Sequence, residues 1–432
     1  MSSILTNDGA TTALATLRNI NSQIATTQNQ ISTGKRVADS TDNAAVWSIS
    51  KTMRADIEGF RNVSSSLALG QSTMAVARQG AETITELLTD IKGKIVAAQE
   101  GNVDRDKIQT NIAALREQID GIVSSAAFNG QNLLQNRGTD AGSGQISVLA
   151  SIDRTNDGVD SSDLSFRRRD LGTSTSAIAA TGGTFDATAA TGTLDTTQEA
   201  TLDLSGLDVT AGAAFSLSIF GTDANDSSFP QADYRTNALA DQTQTEMAAS
   251  DISYVARDGD TAGDVARALK AEWDNYAAKN KLDKDVFDVR ASGQSLVVSS
   301  NVTTAGDSII ANVSSLTADA GNTIGGGLEA LTEINVTTSD GANTALVQIE
   351  GLLSYSIDTA AAFGSDQGRI DTQSTFVGKL TDVLKSGLGQ LEDADMEDTS
   401  ARLQALQVQQ QLAVQALSIA NSAPQQLLSL FR

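Results

Sequence analysis

The sequence predicts a mainly α protein whose amino- and carboxyl-terminal helices pair in an elongated coiled-coil or bundle rod, with a β-rich α+β outer domain inserted between them. Three observations predict this class: an apolar heptad pattern early in the 432-residue chain, uncharged apolar helical patterns at both ends, and a loss of helical periodicity in the middle. A switch of period along one chain indicates helices at the ends and short strands between them.

The strongest pattern runs from Val46 to Ile95. Alternating steps of three and four residues meet 15 positions there, of which 13 are apolar, where chance placement would give about six. A seam of this length predicts one helix on the order of 80 Å long. A turn at Glu100-Gly101-Asn102 is followed by a returning helix with apolar positions at Ile108, Ile112, Leu115, Ile119, Ile122 and Ala126.

Helical periodicity returns on the carboxyl side of the chain. Apolar residues recur at helical spacing from Leu346 to Ala360, and after Gly364 the pattern continues through Val377 and Leu391 towards the chain end. We therefore expect one helix before Gly364 and a longer one from there into the terminal pattern.

Both chain ends are apolar at helical spacing and almost free of charge. No charged residue lies between Arg18 and Lys35, and none lies between Arg402 and Arg432. Because charges are costly to desolvate, their absence predicts burial against partners. Isolated helices of this length are marginal in water, so we expect both to be poorly ordered until buried. The predicted polymerisation seam comprises Leu17, Ile20, Ile24, Ile31, Leu403, Leu406, Leu412, Leu417, Leu427 and Leu430.

The last helix carries a second apolar stripe on the side opposite to Leu406. Its members are Ala405, Val408, Leu412 and Ile419. A helix that is apolar nearly all round is buried on more than one face.

The region from Arg137 to about Asp340 is acid-rich, with 13 Lys and Arg against 30 Asp and Glu, which is −17 of the chain's net −23. Alternating apolar residues predict short strands, and Thr173–Thr201 is low enough in complexity to be a loop or partly mobile. We expect this region to face solvent. The predicted elements are strands near Leu202–Leu204, Phe215–Ile219, Val286–Val289 and Leu296–Val298, and a helix from Thr261 to about Leu282.

Composition excludes several classes of function. A net charge of −23 argues against nucleic acid and anionic membrane as partners. The chain has no Cys and no His, so we expect no enzyme, no metal site and no cofactor. No stretch approaches the roughly 18 apolar residues of a membrane span. Met1–Ala10 lacks the basic and apolar parts of a secretory signal peptide.

Three smaller features have a structural and a functional interpretation. Asp153–Gly158 imitates the start of a calcium loop, but the twelfth position is Leu164 instead of Glu, which favours a solvated turn. Arg167-Arg168-Arg169 is interpreted as a solvated or intramolecularly paired cluster in preference to a specific anion site. Trp47 and Trp273 are interpreted as packing residues.

Several motifs resemble those of bacterial flagellin, the flagellar filament protein, and they occur in the order of that family. The resemblance covers about residues 1–136 and 342–432, and its departures are similar to alphaproteobacterial, rhizobial flagellins. The motifs are ISTGKRV at Ile31–Val37, DNAA at Asp42–Ala45, FNGQNLL at Phe128–Leu134, GSDQGRI at Gly364–Ile370, EDAD at Glu392–Asp395 and ANSAPQQLLSLFR at Ala420–Arg432.

The resemblance implies three zones of a helical filament that acts as a propeller in motility. Residues 1–40 and 395–432 form the inner tube, residues 41–136 and 342–394 the helical rod domain of the outer tube, and residues 137–341 the surface-exposed insert. It also implies an extracellular location after type III export without a cleaved signal peptide. The implied partners are copies of the chain itself, sister flagellins, an export chaperone, a filament cap and hook-junction proteins.

The family's segment for immune-receptor recognition, QRVRELAVQ, falls on residues 91–99. Lys92 and Lys94 replace two arginines, Ile95 replaces the glutamate, and Gln99 is retained. We therefore expect poor detection by vertebrate flagellin receptors. The segment that plant receptors recognise falls on Asn29–Ser50 and also departs from the family pattern.

Other functions stay open from the sequence alone. A hook–filament junction protein shares such ends and differs in copy number. An adhesin displayed by the insert would lose binding, but not filament formation, when the insert is deleted. A protease in the insert would need an H-E-x-x-H zinc site, which a chain without His does not supply. O-glycosylation of the Ser/Thr-rich insert is a further hypothesis.

Overall fold

A computed structural model of the chain describes residues 7–155, 158–195, 198–224, 228–236, 243–301 and 306–430, without the side chains of residues 155 and 423–430. The helices are α1 (Asp8–Thr33), α2 (Ala44–Ala97), α3 (Arg105–Ser125), α4 (Gln244–Ala248), α5 (Ala262–Asn280), α6 (Ser339–Glu392) and α7 (Met396–Leu430). The strands are β1 (Ala127–Phe128), β2 (Gln131–Asn132), β3 (Gln145–Thr155), β4 (Gly158–Arg167), β5 (Phe185–Leu194), β6 (Glu199–Asp203), β7 (Ala214–Thr222), β8 (Ser253–Val255), β9 (Asp288–Ser292), β10 (Ser295–Ser299) and β11 (Ser308–Leu316).

The predicted fold class is confirmed: long helices lie at both ends of the chain, and all the strands of the described residues lie between α3 and α6 in the sequence. The heptad seam is the core face of α2, because every seam position from Val63 to Ile95 is buried. The FNG motif closes the β1–β2 hairpin, in which Asn129 and Gly130 adopt φ angles of 50° and 76°. Two positive φ angles in succession are what a tight two-residue hairpin requires.

The helix break on the carboxyl side differs from the prediction. The helix α6 runs through Gly364 without interruption and ends at Glu392, and α7 starts at Met396. The side chain of Asp395 accepts hydrogen bonds from the backbone N–H groups of Glu397 and Asp398, at 3.0 and 3.2 Å. This cap satisfies donors at the start of α7, so the chain breaks there and not at the glycine.

The two larger sheets in the middle of the chain are antiparallel and have the strand orders β5-β11-β7-β8 and β6-β10-β9, and β3 pairs with β4 in a separate two-stranded sheet. The helix α5 packs on the two larger sheets and begins with a capping box formed by Thr261 and Asp264. Its Trp273 is fully buried, and the ring lies 5.0 Å from that of Phe287 at an interplanar angle of 87°. The predicted packing role of Trp273 is therefore confirmed.

The loop predicted for Thr173–Thr201 contains a strand instead. The strand β5 pairs with β11, and its Ala190 and Leu194 are buried. A Cβ on Gly192 would lie 2.9 Å from Leu202 Cδ1, so small side chains allow β5 to approach β6 closely. The absence of a side chain at Gly192 is thus required where β5 lies against β6.

The contacts divide the chain into two compact units. One comprises Met1–Ser65, Ser151–Asp160 and Ser374–Arg432, and the other comprises Ser66–Ala150 and Ser161–Gln373. These units group residues by contact within one chain, whereas the three zones predicted from the sequence concern layers of an assembly and stay a prediction. Within the described part of the chain, no helix has both the length and the apolar character of a membrane span.

Candidate functional site

The two terminal helices, α1 and α7, lie against each other in antiparallel orientation. The side chain of Asn7 donates a hydrogen bond to the carbonyl of Ala420 at 2.7 Å, and Gln410 donates to Asn21 Oδ1 at 2.6 Å. Partners thus follow in reverse order along the two helices. We call this arrangement the terminal pair.

One apolar stripe of each helix is buried in the terminal pair. Ile20 and Ile24 of α1 contact Leu406 and Ala413 of α7, and all four are at most 9% exposed. The other seam members with a described side chain, apart from Leu412, are partly buried: Leu17, Ile31, Leu403 and Leu417. Charged residues are absent from this stripe, as the sequence predicts.

The second stripe of α7 has no partner within the described chain. Val408, Leu412 and Ile419 are 56%, 57% and 69% exposed. Leu412 therefore belongs to the exposed side, opposite to Leu406, whereas the side chains of Leu427 and Leu430 lie outside the description. We call this surface of Val408, Leu412 and Ile419 the uncovered face. A contiguous exposed apolar surface of this kind marks an interaction site.

A groove of about 540 Å³ lies between the first turns of α1 and residues 413–420 of α7. Most of the residues that line it are small. The small residues are Gly9, Ala13, Ala413, Ala416 and Ala420.

The residues of the receptor-equivalent segment do not share one environment. Lys92 forms an ion pair with Glu350 at 2.6 Å, and Lys94 is exposed. Ile95 is fully buried in the seam of α2. Gln99 is exposed and donates to the carbonyl of Ala342 at 3.5 Å. The replacement of a family glutamate by Ile95 therefore changes the packing of α2 as well as the charge of the segment.

Two of the three arginine side chains in the cluster have partners within the chain. Arg167 binds Asp260 at 3.0 Å and Asp264 at 3.5 Å, and Arg168 donates to Gln131 at 2.6 Å. These bonds favour the intramolecularly paired interpretation for Arg167 and Arg168.

The remaining small features add no site. Asp157 of the calcium-like stretch lies outside the described residues. Among the residues that the structure describes, no group of three His, Cys, Asp or Glu side chains could hold a metal ion. Trp47 is partly buried, and the amine of Lys51 lies 5.5 Å from the centre of its ring.

A pair of partly buried carboxylates was not found by the sequence analysis. Glu272 of α5 and Glu329, at the start of a short 3₁₀ helix, line one polar cavity of about 190 Å³. Burial, and then the charge of Glu329, raises the pKa of Glu272 to about 8. Glu329 accepts a hydrogen bond from the backbone N–H of Ser176 at 2.6 Å. No local sequence signal marks this pair, because only the fold brings the two residues together.

These features define a class of protein: a structural subunit whose paired terminal helices present an apolar surface for association. Two family descriptions match the chain, "Bacterial flagellin N-terminal helical region" over residues 4–139 and "Bacterial flagellin C-terminal helical region" over residues 348–431. Flagellin A of Rhizobium meliloti is 36% identical over 437 residues, with complete coverage of both chains. A flagellin of Bartonella bacilliformis is 30% identical over 419 residues and covers 96% of each chain.

Among solved structures, FliC from Burkholderia pseudomallei aligns with 69% of this chain and 99% of its own, at 16% identity and a TM-score of 0.29.

The chain belongs to the bacterial flagellin family. It is a structural subunit that self-assembles into the flagellar filament outside the cell, and it is not an enzyme. The similarity to rhizobial flagellins that the motifs predict is confirmed. Because flagellin relatives match over the full length, the filament subunit is favoured over the hook–filament junction protein.

Proposed function

We propose that the uncovered face of α7 is the polymerisation surface, through which each copy binds its neighbours in the filament. The observation that carries this proposal is the two-sided character of α7. Leu406 is 4% exposed beneath α1, whereas Leu412 is 57% exposed on the other side. An apolar side chain of that size contributes roughly 1.5–3 kcal/mol when it is fully buried, so the uncovered face supplies a substantial driving force for association.

The three predicted zones extend this proposal. Residues 1–40 and 395–432 line the inner tube, residues 41–136 and 342–394 form the outer tube, and residues 137–341 project into solvent. The lack of charge between Arg18 and Lys35 supports the inner position, since identical charges would repeat in every copy. The acidic composition of the insert supports the outer position.

Export and accessory partners are also part of the proposal. The chain leaves the cell unfolded through the flagellum's own type III channel, without a cleaved signal peptide, and an export chaperone covers its apolar ends beforehand. A filament cap and hook-junction proteins bind it at assembly, and sister flagellins co-assemble with it. The absence of Cys supports export as an unfolded chain into an oxidising exterior. Mass spectrometry of the first peptide from purified filaments tests whether a leader has been removed.

A charge on the uncovered face tests the polymerisation surface. We expect Leu412→Asp to abolish filament growth from seeds, because a carboxylate would be buried without a partner. Leu406→Asp and Leu417→Asp should also abolish it, by disrupting the terminal pair. Electron microscopy and sedimentation of seeded protein measure the outcome.

Leu412→Met is the control, because it keeps the volume and the apolar character. It should polymerise normally. The fluorescence of Trp273 should be unchanged in all variants, which shows that the insert is folded. Normal filaments from Leu412→Asp would contradict the proposed surface.

We further propose that vertebrate and plant flagellin receptors detect this protein poorly. Lys92, Lys94 and Ile95 depart from the family segment, and burial of Ile95 removes that position from the surface. Receptor-reporter cells exposed to purified monomer measure the effect, with a flagellin that retains the family segment as the control. A response equal to that of the control would reject the proposal.

A further inference from the structure

The connection from α1 to α2 and the connection from α6 to α7 lie side by side. The helix α1 ends at Thr33 and is capped by Gly34, whose φ of 69° is left-handed, and α6 ends at Glu392. The backbone N–H groups of Arg36 and Val37 donate to the carbonyl of Glu392 at 2.6 and 3.3 Å. In return, the N–H of Ala394 donates to the carbonyl of Gly34 at 3.0 Å. The two connections are therefore joined by their backbones.

The side chain of Glu392 adds an ionic contact at this point. It is 6% exposed and pairs with Lys35 at 3.1 Å and with Arg54 of α2. The guanidinium of Arg36 donates to the neighbouring carbonyl of Leu391 at 3.0 Å. One carboxylate thus joins three segments: the end of α1, the first turns of α2 and the end of α6.

The burial of its carboxylate distinguishes this contact from the surface pairs of the chain: Glu392 is 6% exposed, while the side chains of Lys35 and Arg54 are 30% and 39% exposed. A buried carboxylate that loses its partners is left uncompensated, which destabilises the structure strongly. By contrast, the pair of Glu58 and Arg61 on α2 is 64% and 58% exposed, and such pairs contribute little.

The protonation state is consistent with an ionic contact. Burial disfavours the charged form of Glu392, but the hydrogen bonds from Arg54 and Lys35 outweigh it, so the pKa lies below its ordinary value. The carboxylate is charged at neutral pH.

We propose that Glu392, Arg54 and Lys35 form an ionic latch that holds the α1–α2 connection against the α6–α7 connection. With the latch closed, the terminal pair holds one orientation relative to the first turns of α2. With the latch open, it pivots about residues 34–43 and 393–395. The EDAD and STGKR motifs meet in this latch, which gives them a mechanical role separate from the apolar contacts of assembly.

Spin labels test the latch in filaments. Because the chain has no Cys, the substitutions Gln28→Cys on α1 and Ser48→Cys on α2 label two exposed positions only. Labelled chains are co-assembled with an excess of unlabelled ones, and the distance between the labels is measured by pulsed electron paramagnetic resonance. We expect a single narrow distribution with the latch intact, and at least a twofold broader one in Glu392→Gln and Arg54→Gln.

Two variants separate the latch from a general effect of substitution. Arg61→Gln removes an exposed pair on the same helix and should keep the narrow distribution. Arg54→Lys keeps the charge and should stay close to it. If the Gln variants do not enter filaments while Arg54→Lys does, with a narrow distribution, the latch is supported. Narrow distributions in both Gln variants, or an Arg54→Lys chain that behaves like Arg54→Gln, would overturn it.

Discussion

The terminal pair and the insert bury their apolar residues in different ways. The core of the insert encloses Trp273, Phe215 and Phe287, each at most 1% exposed, and the sheets cover it on several sides. The terminal pair covers one stripe of each helix, and Ile419 of the same pair is 69% exposed. The insert therefore completes its core within one chain, whereas we propose that the terminal pair is half of a core that other copies complete.

The insert and the terminal helices also differ in the types of residue that they bury. Aromatic residues are few in the chain, at 4%, and Trp273, Phe287 and Tyr276 lie together in the insert. The terminal helices instead contain aliphatic residues and amides. A region that folds alone needs a well-packed core, while a region that folds on assembly needs surfaces that several neighbours can share.

Hydrogen exchange should show the largest contrast between the two regions. In the dilute monomer, we expect amides of α1 and α7 to exchange at least roughly a thousandfold faster than those of β7 and β11, because the terminal pair buries few side chains. In filaments, the terminal amides should become protected. Mass spectrometry of peptides from both states measures this. Rigid, protected ends in the monomer would remove the distinction between the two regions.

Truncation of the core tryptophan should affect the insert alone. We expect Trp273→Ala to lower the free energy of unfolding of the insert by about 3–5 kcal/mol, because it leaves a large cavity beside Phe287. Trp273→Phe should cost less, since most of the volume is kept. Calorimetry of the monomer measures both, and electron microscopy should still find filaments. Loss of filaments in both variants would show that the terminal pair depends on the insert.

A smaller effect is expected from Glu272, the partly buried carboxylate of the insert. The folded-state pKa of Glu272 is raised, to about 8, by burial and by Glu329. Its protonated form is therefore favoured in the fold. Stability from this group is fully present below the ordinary pKa of a glutamate, and it is lost as pH rises through about 8.

Glu272→Gln should remove that dependence and stabilise the insert at pH 8–9 by roughly 1–3 kcal/mol. Thermal unfolding followed by the fluorescence of the adjacent Trp273 measures it, with Glu350→Gln on the exposed side of α6 as the control. An unchanged pH profile in Glu272→Gln would contradict the assignment.

Helices and strands could be predicted from the sequence where their buried residues recur with a regular period. The seam from Val63 to Ile95 repeats with the period of a helix, and the apolar positions of β7 alternate with the period of a strand, so both were predictable. The helix α5 was also predictable, since its start carries a cap at Thr261.

Other features depend on contacts that no local pattern encodes. The strand β5 consists mainly of small residues, which carry little alternation. The end of α6 depends on the cap at Asp395, because Gly364 can continue a helix. Glu392 and Arg54 are 338 residues apart in sequence, so their contact follows only from the antiparallel return of the chain.

The terminal pair joins residues from opposite ends of the translated chain. Asn7 and Ala420, which are hydrogen-bonded, are separated by 413 positions. A ribosome or a narrow channel that releases the amino end first must release nearly the whole chain before the two helices can meet. The pairing surface therefore forms last, and an incomplete copy carries no finished surface to add to a growing end.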